Sequence, residues 1–401
     1  MLTLEQKLLL ACLSATPKPD QLSPLIKPDM LWDELLRLGE HHAVLPLIYQ
    51  ALKNIPDPLV PAPILNRLQR TFVALTLRNL QMQKELHRVI DLLTEEQIAV
   101  IPFKGPTLAE EAYGDIAMRS FVDLDLLVPA DQAQVAVQVL LNQGYWTDFE
   151  LPQARWAGLQ RVDNHLPLYH SEQNWGVEIH WQLFHPMYVQ PFDLSAHWFD
   201  LQGGSDLQGS NTPEGAREGR LEREETLVML CTHGTKHFWA QLKWLVDIDR
   251  LLTNGSEISW VKVLSLASGS GSLRSLLLGL ELSHRLFGTP LCDEVMAMIS
   301  GDSSIHPLAE NVIVKLFPDD PERKQYLQEY LFYLKSRDSL ADQVVQVVRW
   351  LLWPRRADWE VFRLGDWWHA LYYVERPVRI FVKHVLWPIF SGTRDGNRGG
   401  T

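Results

Sequence analysis

Two aspartates, Asp123 and Asp125, stand one residue apart in the segment FVDLDLLV. The alternation of apolar residues predicts a β-strand, and side chains along a strand point alternately to its two faces. The two carboxylates therefore share one face, while Val122, Leu124 and Leu126 are expected on the other. Two carboxylates this close are costly to ionise together unless cations lie between them. Hard oxygen ligands suit Mg²⁺, and two such ions about 3.5–4 Å apart activate an attacking oxygen and stabilise a leaving one.

A third carboxylate that would complete such a centre is Glu178 in WGVEIHW. It lies on a second alternating segment, between the apolar residues Val177 and Ile179, and His180 shares its face. If the two strands are neighbours, Glu178 lies beside the paired aspartates. The sequence thus predicts that Asp123, Asp125 and Glu178 are both the catalytic residues and the metal ligands.

A candidate anion site precedes these acids in IPFKGPTLAEEAYG, where Lys104 and Gly105 follow a predicted strand and Pro106 begins a predicted helix. Glycine lets backbone amides approach phosphate oxygens closely, and a helix N-terminus favours negative charge. Lys104 and Arg119 are expected to add positive charge for a bound triphosphate.

Each of these signals has an ordinary structural alternative. Asp123 alone could cap a turn with Asp125 in solvent, Glu178 could be a solvated strand residue, and Lys104-Gly105 could be only a strand-to-helix turn. Their order along one region of the chain favours the functional interpretation.

A further pair, His233 and His237, stands four residues apart on a predicted helix, which places both on one face. No glutamate directly follows the first histidine, so the pair is not a zinc-protease motif, although a separate metal site is an alternative. We expect this helix to line the cleft, with Lys236 or His237 contacting phosphate or acceptor. The other alternative is that these residues only form hydrogen bonds between domains.

The surrounding elements predict an α+β fold with a small mixed sheet between two helical regions. The expected divisions are an N-terminal helical region (1–95), an α/β core (96–200), a flexible linker (201–222), a C-terminal helical domain (223–390) and a disordered tail (391–401).

Within these regions the hydrophobic spacing predicts individual elements. Three N-terminal helices are expected, in LEQKLLLACL, WDELLRLGEHHAVLPLIYQAL and ILNRLQRTFVALTLRNLQMQKELHRVIDLL. IAVIPFKG, HLPLYHSE and WGVEIHW are further strand candidates, and ADQAQVAVQVLLNQG is a helix that ends at Gly144. The segment LEREETLVMLCTHGTKHFWAQLKWLVDIDRLL is strongly helical. The basic segment ERPVRIFVKHVLWPIF (375–390) is expected to dock on the body of the protein, with a membrane surface or a partner helix as the alternative. The tryptophans of this half, among them Trp359, Trp367 and Trp368, are expected to pack in the core.

The bulk properties restrict the partners. The 401 residues carry a net charge of -12, which disfavours binding to an extended nucleic acid, so a small molecule or a protein is the more favourable acceptor. The three cysteines form no metal-binding pattern, the start lacks a signal peptide, and no apolar run is long enough to span a membrane. We expect a cytoplasmic protein.

At these residues the chain resembles the nucleotidyltransferase superfamily. FKGPTLAEEAYGDIAMRSFVDLDLLV, VEIHW and HGTKHFWAQLKWLVDIDRLL are similar to an uncharacterised nucleotidyltransferase family that is often found in bacterial genomes. The resemblance implies that Asp123 and Asp125 bind two Mg²⁺ ions, with Mn²⁺ as the alternative metal. Glu178 would complete the second metal site and help to deprotonate the acceptor, and Gly105 would hold triphosphate oxygens. The superfamily usually has a Gly-Ser or Gly-Gly turn closer to the acids, so the Lys104-Gly105 turn departs from its pattern.

The activity implied by this resemblance is transfer of a nucleoside monophosphate from a nucleoside triphosphate, such as ATP, to an acceptor hydroxyl with release of pyrophosphate. Two alternatives stay open. One is a non-catalytic nucleotide-binding or regulatory protein with the same fold, and the other is a two-metal phosphotransferase. The identity of the nucleotide, the acceptor and the oligomeric state do not follow from the sequence.

Overall fold

The computed structural model describes residues 2–56, 58–149, 156–170, 175–185, 187–188, 192–201, 218–255, 257–317, 326–354, 358 and 371–381. Helices predominate and surround one five-stranded mixed sheet, which confirms the predicted α+β class. The strands are β1 (Ile101–Phe103), β2 (Asp123–Leu127), β3 (Tyr145–Trp146), β4 (His165–His170) and β5 (Gly176–His180). The first nine helices are α1 (Leu4–Cys12), α2 (Pro19–Leu22), α3 (Trp32–His41), α4 (Leu45–Leu52), α5 (Ala62–Glu95), α6 (Gly105–Leu108), α7 (Ala133–Asn142), α8 (Trp156–Val162) and α9 (Ser195–Leu201). The later helices are α10 (Arg223–Lys236), α11 (Leu242–Thr253), α12 (Trp260–Ser270), α13 (Leu273–Phe287), α14 (Asp293–Gly301), α15 (Ile305–Leu316), α16 (Tyr326–Lys335), α17 (Leu340–Leu352) and α18 (Tyr372–Phe381).

The N-terminal helices differ from the prediction at one point. The second predicted helix is two helices, α3 and α4, because the backbone at Ala43 has a positive φ of 57° that a right-handed helix cannot contain. Pro46 follows in the first turn of α4, where its missing N–H is tolerated. The expectation of a single helix over this stretch was therefore wrong.

The sheet has the strand order β1-β2-β5-β4-β3. β2 and β5 run parallel, and the other neighbouring pairs are antiparallel. A parallel pair needs a crossover, and here the chain returns through α7, β3, α8 and β4 before it forms β5. All four strand segments predicted from the sequence are confirmed, and the two that carry acids are direct neighbours.

The two faces of the sheet contribute to different parts of the core. Leu124 and Leu126 of β2 and Val177 and Ile179 of β5 are fully buried in a cluster that includes α5 and α7. The opposite face carries the acids and turns toward the C-terminal helices. Val122, which was expected to share the face of Leu124, precedes β2 and is 59% exposed, so that expectation was wrong.

The helices after the sheet form a second, larger core together with α1, α3 and α4. The strongly helical segment that begins at Leu221 is interrupted, because Phe238 and Trp239 both have positive φ and separate α10 from α11. None of the described helices is both long and apolar enough to cross a membrane.

The C-terminal basic segment is described only as far as α18. Arg376 is buried, and its Nη1 atom donates to Asp358 Oδ2 at 2.7 Å, while Arg379 also binds Asp358. Arg376 also donates to the Trp350 backbone oxygen, so these contacts join α18 to Asp358 and to the end of α17. Residues 382–390, the greater part of the predicted linker (202–217), the predicted tail (391–401) and the tryptophans Trp359, Trp367 and Trp368 lie outside the described residues.

Candidate active site

The acids predicted from the sequence converge on one cavity of about 360 Å³. In the register of the parallel pair, Asp125 is the direct partner of Glu178, and Asp123 lies two residues earlier on the same face as Asp125. Asp125 is only 3% exposed, and all three acids line the cavity. The sheet thus brings Glu178 next to two aspartates that lie more than 50 positions earlier in the chain.

Two basic side chains contact the central carboxylate. Lys104 Nζ lies 3.2 Å from Asp125 Oδ1, and His180 Nε2 lies 3.1 Å from the same oxygen. His180 Nε2 is also 3.1 Å from Glu178 Oε2, so this imidazole bridges the two acids. His165 stacks on His180 with ring centroids 4.8 Å apart.

The acids titrate differently because their neighbours differ. Burial, together with the charges of Asp125 and Glu178, raises the pKa of Asp123 to about 6. Burial opposes ionisation of Asp125 as well, but Lys104 and His180 lower its pKa below the ordinary value. Glu178 is also buried, and its hydrogen bond from His180 lowers its pKa. Burial disfavours protonation of His180, yet its hydrogen bonds to the acids raise its pKa. The cluster thus combines three carboxylates with two basic side chains, Lys104 and His180, that stabilise the ionised form of Asp125.

The Lys104-Gly105 turn is pressed against the strand that carries the aspartates. Both residues have positive φ, 56° and 39°, which is uncommon for a lysine. A Cβ on Gly105 would lie 3.3 Å from the backbone oxygen of Asp123, so the close approach favours glycine. The short helix α6 follows at once and continues as a π-turn to Tyr113. This turn directs the Lys104 side chain to the acids.

The opposite wall of the cavity comes from the end of α10 and the start of α11. Lys236 and Lys243 line it, and neither has a carboxylate within salt-bridge distance among the described residues. Burial and the charge of Lys104 lower the pKa of Lys236. Burial and the charge of Arg119 lower the pKa of Lys243. Carboxylates act on both lysines only from beyond salt-bridge distance, and Lys236 Nζ lies 5.6 Å from the centroid of the Tyr188 ring.

The break between α10 and α11 sets the position of both lysines. After Lys236 the chain turns through Phe238 and Trp239, and the Trp239 ring is fully buried against Gly234. Any side chain at Gly234 would overlap this ring, since a Cβ there would lie 2.2 Å from it. The turn brings the last residues of α10 and the first turn of α11 to the same cavity.

Arg119 lines the cavity, but most of its guanidinium is engaged elsewhere. Its Nε and Nη2 atoms donate to the two oxygens of Asp247 at 2.9 and 3.0 Å, and Tyr113 donates to the same carboxylate at 2.7 Å. This buried pair joins the segment before β2 to α11. Only Nη1 has no hydrogen-bond partner in the part of the chain that the structure describes.

Asp125, Glu178 and His180 form a group that could hold a metal ion, since each offers a ligand atom and these atoms lie within 4.8 Å of one another. Asp123 is not one of the three, although it lines the same cavity and raises the number of nearby carboxylate oxygens. Carboxylate oxygens suit Mg²⁺ or Mn²⁺, and imidazole is a softer ligand that Mn²⁺ also accepts.

Sequence reasoning did not assign a role to His180, His165, Lys243 or Trp244. Strand alternation already placed His180 on the face of Glu178, so its contact could have been found from the sequence. Lys243 and Trp244 reach the cavity only because of the break before α11, for which no local sequence signal exists. Lys236 and His237, in contrast, line the cavity as expected.

A small mixed sheet with a glycine turn and clustered acids on two adjacent strands is the arrangement expected of a nucleotidyltransferase. A family model described as uncharacterised nucleotidyltransferase matches residues 28–288, and the chain belongs to this family. The match includes the sheet, the acids and the wall formed by α10 and α11. No curated protein and no solved structure is similar enough to the chain to match it.

Proposed function

We propose that the protein is a metal-dependent nucleotidyltransferase that transfers a nucleoside monophosphate from a nucleoside triphosphate to an acceptor hydroxyl. The observation that carries this proposal is the opposition of two charges across one cavity. Carboxylates of two adjacent parallel strands form one wall, and Lys236 and Lys243, which lack a carboxylate partner among the described residues, form the other. A ligand that carries both bound cations and free phosphate oxygens would satisfy both walls.

The acids have the chemistry that divalent cations require. Asp123, Asp125 and Glu178, with His180 beside them, would hold one or two Mg²⁺ or Mn²⁺ ions. When bound, such ions neutralise the charge of the triphosphate and polarise its α-phosphorus. Lys104, whose ammonium group lies 3.2 Å from Asp125 in the same cavity, would contact a phosphate oxygen of the triphosphate.

The remaining polar groups would bind and orient the triphosphate. Lys104, Lys236 and Lys243 are within the same cavity, and Arg119 can add its Nη1 donor. The close backbone at Gly105 would accommodate phosphate oxygens, and His237 stands at the end of α10 next to Lys236. Positioning and charge neutralisation provide most of the catalysis in phosphoryl transfer.

In the proposed reaction the acceptor oxygen forms a bond to the α-phosphorus. The bond between that phosphorus and the bridging oxygen to the β-phosphorus breaks, and pyrophosphate leaves with the electron pair. The hydroxyl proton passes to the Glu178 carboxylate, which already accepts a hydrogen bond from His180. The lysines bind the charge that accumulates on pyrophosphate.

The acceptor is expected to be a small molecule or a protein side chain rather than an extended nucleic acid, since the net charge of -12 repels polyanions. The free cysteines, of which Cys12 and Cys231 are buried, support a cytoplasmic location.

The test is an incubation of the full chain with each nucleoside triphosphate, Mg²⁺ and a cell extract, in which pyrophosphate release is measured and adducts are sought by mass spectrometry. We expect pyrophosphate and an acceptor that gains the mass of a nucleoside monophosphate. Asp125→Asn and Glu178→Gln should abolish both, whereas Asp131→Asn, at an exposed position, should not.

Two results would contradict the proposal. Release of nucleoside diphosphate in place of pyrophosphate would indicate a phosphotransferase. Tight nucleotide binding without turnover in every extract would indicate a non-catalytic nucleotide-binding protein.

A further inference from the structure

Three aromatic rings form a cluster on the lysine side of the cavity, with their planes inclined to one another by 36° to 83°. The ring centroids of His233 and His237 are 4.6 Å apart, and those of Trp244 lie 5.6 and 5.5 Å from them. All three residues line the cavity. We call His233, His237 and Trp244 the aromatic shelf.

The shelf is uncharged, which distinguishes it from its surroundings. Burial and nearby lysines hold the pKa of His233 well below its ordinary value, and burial together with Lys236 lowers that of His237 to about 4. Neither imidazole has a hydrogen-bond partner among the residues that the structure describes. At neutral pH the shelf therefore presents flat, neutral rings together with ring nitrogens that are available to a ligand.

Trp244 packs against the larger core but is not enclosed by it. The neighbouring Trp239 fills the core and is fully buried, whereas Trp244 is half-buried and forms part of the cavity wall. One part of the Trp244 side chain therefore packs on the core and the two histidine rings, and another part faces the cavity.

Residues of the shelf and the two lysines alternate along the same wall. Lys236 directly precedes His237, and Lys243 directly precedes Trp244. A ligand bound at this wall would contact ammonium groups and aromatic rings of residues that are adjacent in the chain. This combination is complementary to a molecule with an anionic end and a planar aromatic end.

From this arrangement we infer that the aromatic shelf binds the nucleobase of the triphosphate, with the base stacked on Trp244. The inference rests on the proposed function, because it uses the lysines as the phosphate site. Every nucleobase has a π-face, so stacking on Trp244 provides affinity for all four bases, and the imidazole nitrogens contact the edge of the base.

The experiment is isothermal titration of the full chain, in Mg²⁺, with each of the four nucleoside triphosphates and with inorganic tripolyphosphate, which lacks a base. The variants are Trp244→Ala and Trp244→Phe, and the matched control is Trp146→Ala, since Trp146 is 47% exposed and does not line the cavity. We expect wild-type protein to bind the nucleotides at least about tenfold more tightly than tripolyphosphate.

Trp244→Ala should weaken nucleotide binding by about tenfold and leave tripolyphosphate binding unchanged, while Trp244→Phe should stay within about threefold of wild type. Retained tripolyphosphate binding also demonstrates that the variant is folded. The inference is overturned if Trp244→Ala binds nucleotides as wild type does, or if it weakens tripolyphosphate and nucleotides equally. It is also overturned if transfer activity is intact but the shelf variants change only the KM for the acceptor. If wild-type protein binds neither ligand, the proposed function itself fails.

Discussion

Asp125 and Glu178 are direct partners in the register of two parallel strands, and their carboxylates lie on the face of the sheet that lines the cavity. A long crossover separates the two residues in the chain, so their meeting is a property of the topology. His180, two residues after Glu178, binds both acids. Lys104 and the hydrogen bonds from His180 therefore favour the ionised forms of Asp125 and Glu178, whereas burial and these acids disfavour ionisation of Asp123, and this difference leads to the first prediction.

Asp123→Asn should stabilise the metal-free protein while it impairs function. Burial and the neighbouring acids raise the pKa of Asp123 from 3.8 to about 6, so the folded state binds its proton more tightly than the unfolded state does. The stability of wild-type protein then falls as pH rises through this window, and the cost is fully present above it. We expect the variant to gain about 1–3 kcal/mol in free energy of unfolding near pH 7.5 and to gain little near pH 4, measured by chemical denaturation.

The effect of Mg²⁺ on stability provides a second test of the same acids. Mg²⁺ should stabilise wild-type protein and stabilise Asp123→Asn much less, because a ligand stabilises only the state that binds it. The exposed Asp131→Asn serves as the control and should behave as wild type. Equal stability of wild type and Asp123→Asn at both pH values would show that the acids do not repel one another.

Lys236→Met should weaken the binding of tripolyphosphate and increase the stability of the ligand-free protein. The ammonium group is largely buried, and among the described residues it has no carboxylate partner, so its replacement by an apolar side chain of similar length removes a desolvation cost. We expect the free energy of unfolding of the ligand-free protein to rise by about 1 kcal/mol, and affinity for tripolyphosphate to fall by about tenfold. Denaturation and calorimetry measure the two effects. Lys84→Met, on the exposed side of α5, should change neither, and unchanged tripolyphosphate binding in Lys236→Met would remove this lysine from the phosphate site.

Arg119→Lys should destabilise the protein, because lysine cannot reproduce the two parallel hydrogen bonds to Asp247. Asp247 is fully buried, and in the variant its charge would lose most of the interactions that offset the cost of burial. We expect a loss of about 2–4 kcal/mol in free energy of unfolding, measured by urea denaturation. Arg70→Lys, at an exposed position of α5, is the control and should stay within about 0.5 kcal/mol of wild type. A variant as stable as wild type would mean that the buried pair does not join the sheet region to α11.

Gly234→Ala tests the turn that forms the lysine wall. The added Cβ would lie 2.2 Å from the fully buried Trp239 ring, so the ring or the helix must move. We expect a loss of about 1–3 kcal/mol in stability and a weaker affinity for tripolyphosphate, because Lys236 and Lys243 flank this turn. Gly269→Ala is a matched control on α12, since nothing lies within 4 Å of its added Cβ. The control should be neutral or stabilising by up to about 1 kcal/mol, and a Gly234→Ala protein that matches it would refute the tight packing.

A structural feature could be predicted from the sequence when residues close together in the chain determine it. Asp125 and Glu178 could be placed because strand alternation is a two-residue pattern, and neighbouring strands were the simplest way to bring the acids together. The positive φ angles of Ala43, Phe238 and Trp239 could not be predicted, since these residue types do not favour that backbone conformation. The break at Ala43 divided a predicted helix, and the turn at Phe238 and Trp239 carried Lys243 and Trp244 into the cavity. Tertiary packing decides both features.

His42 provides a pH-dependent test of the contact between the N-terminal helices and α11. Its ring is fully buried, its Nδ1 atom accepts a hydrogen bond from the Leu242 backbone N–H at 3.3 Å, and burial lowers its pKa to about 3. Below the ordinary pKa of 6.5 the unfolded chain takes up a proton that the folded protein excludes, so stability falls as pH decreases toward 3. The contribution of this residue approaches about 1.4 kcal/mol per pH unit.

His42→Asn keeps an acceptor near that position but replaces the buried ring with a smaller side chain, so the variant should be less stable than wild type near neutral pH. Because asparagine cannot be protonated, the stability of the variant should decline less steeply in acid. His87→Asn, at an exposed position of α5, is the control and should keep the slope of wild type. Parallel stability curves for wild type and His42→Asn would show that His42 takes up its proton in the folded state, and therefore that α11 does not seal this ring from solvent.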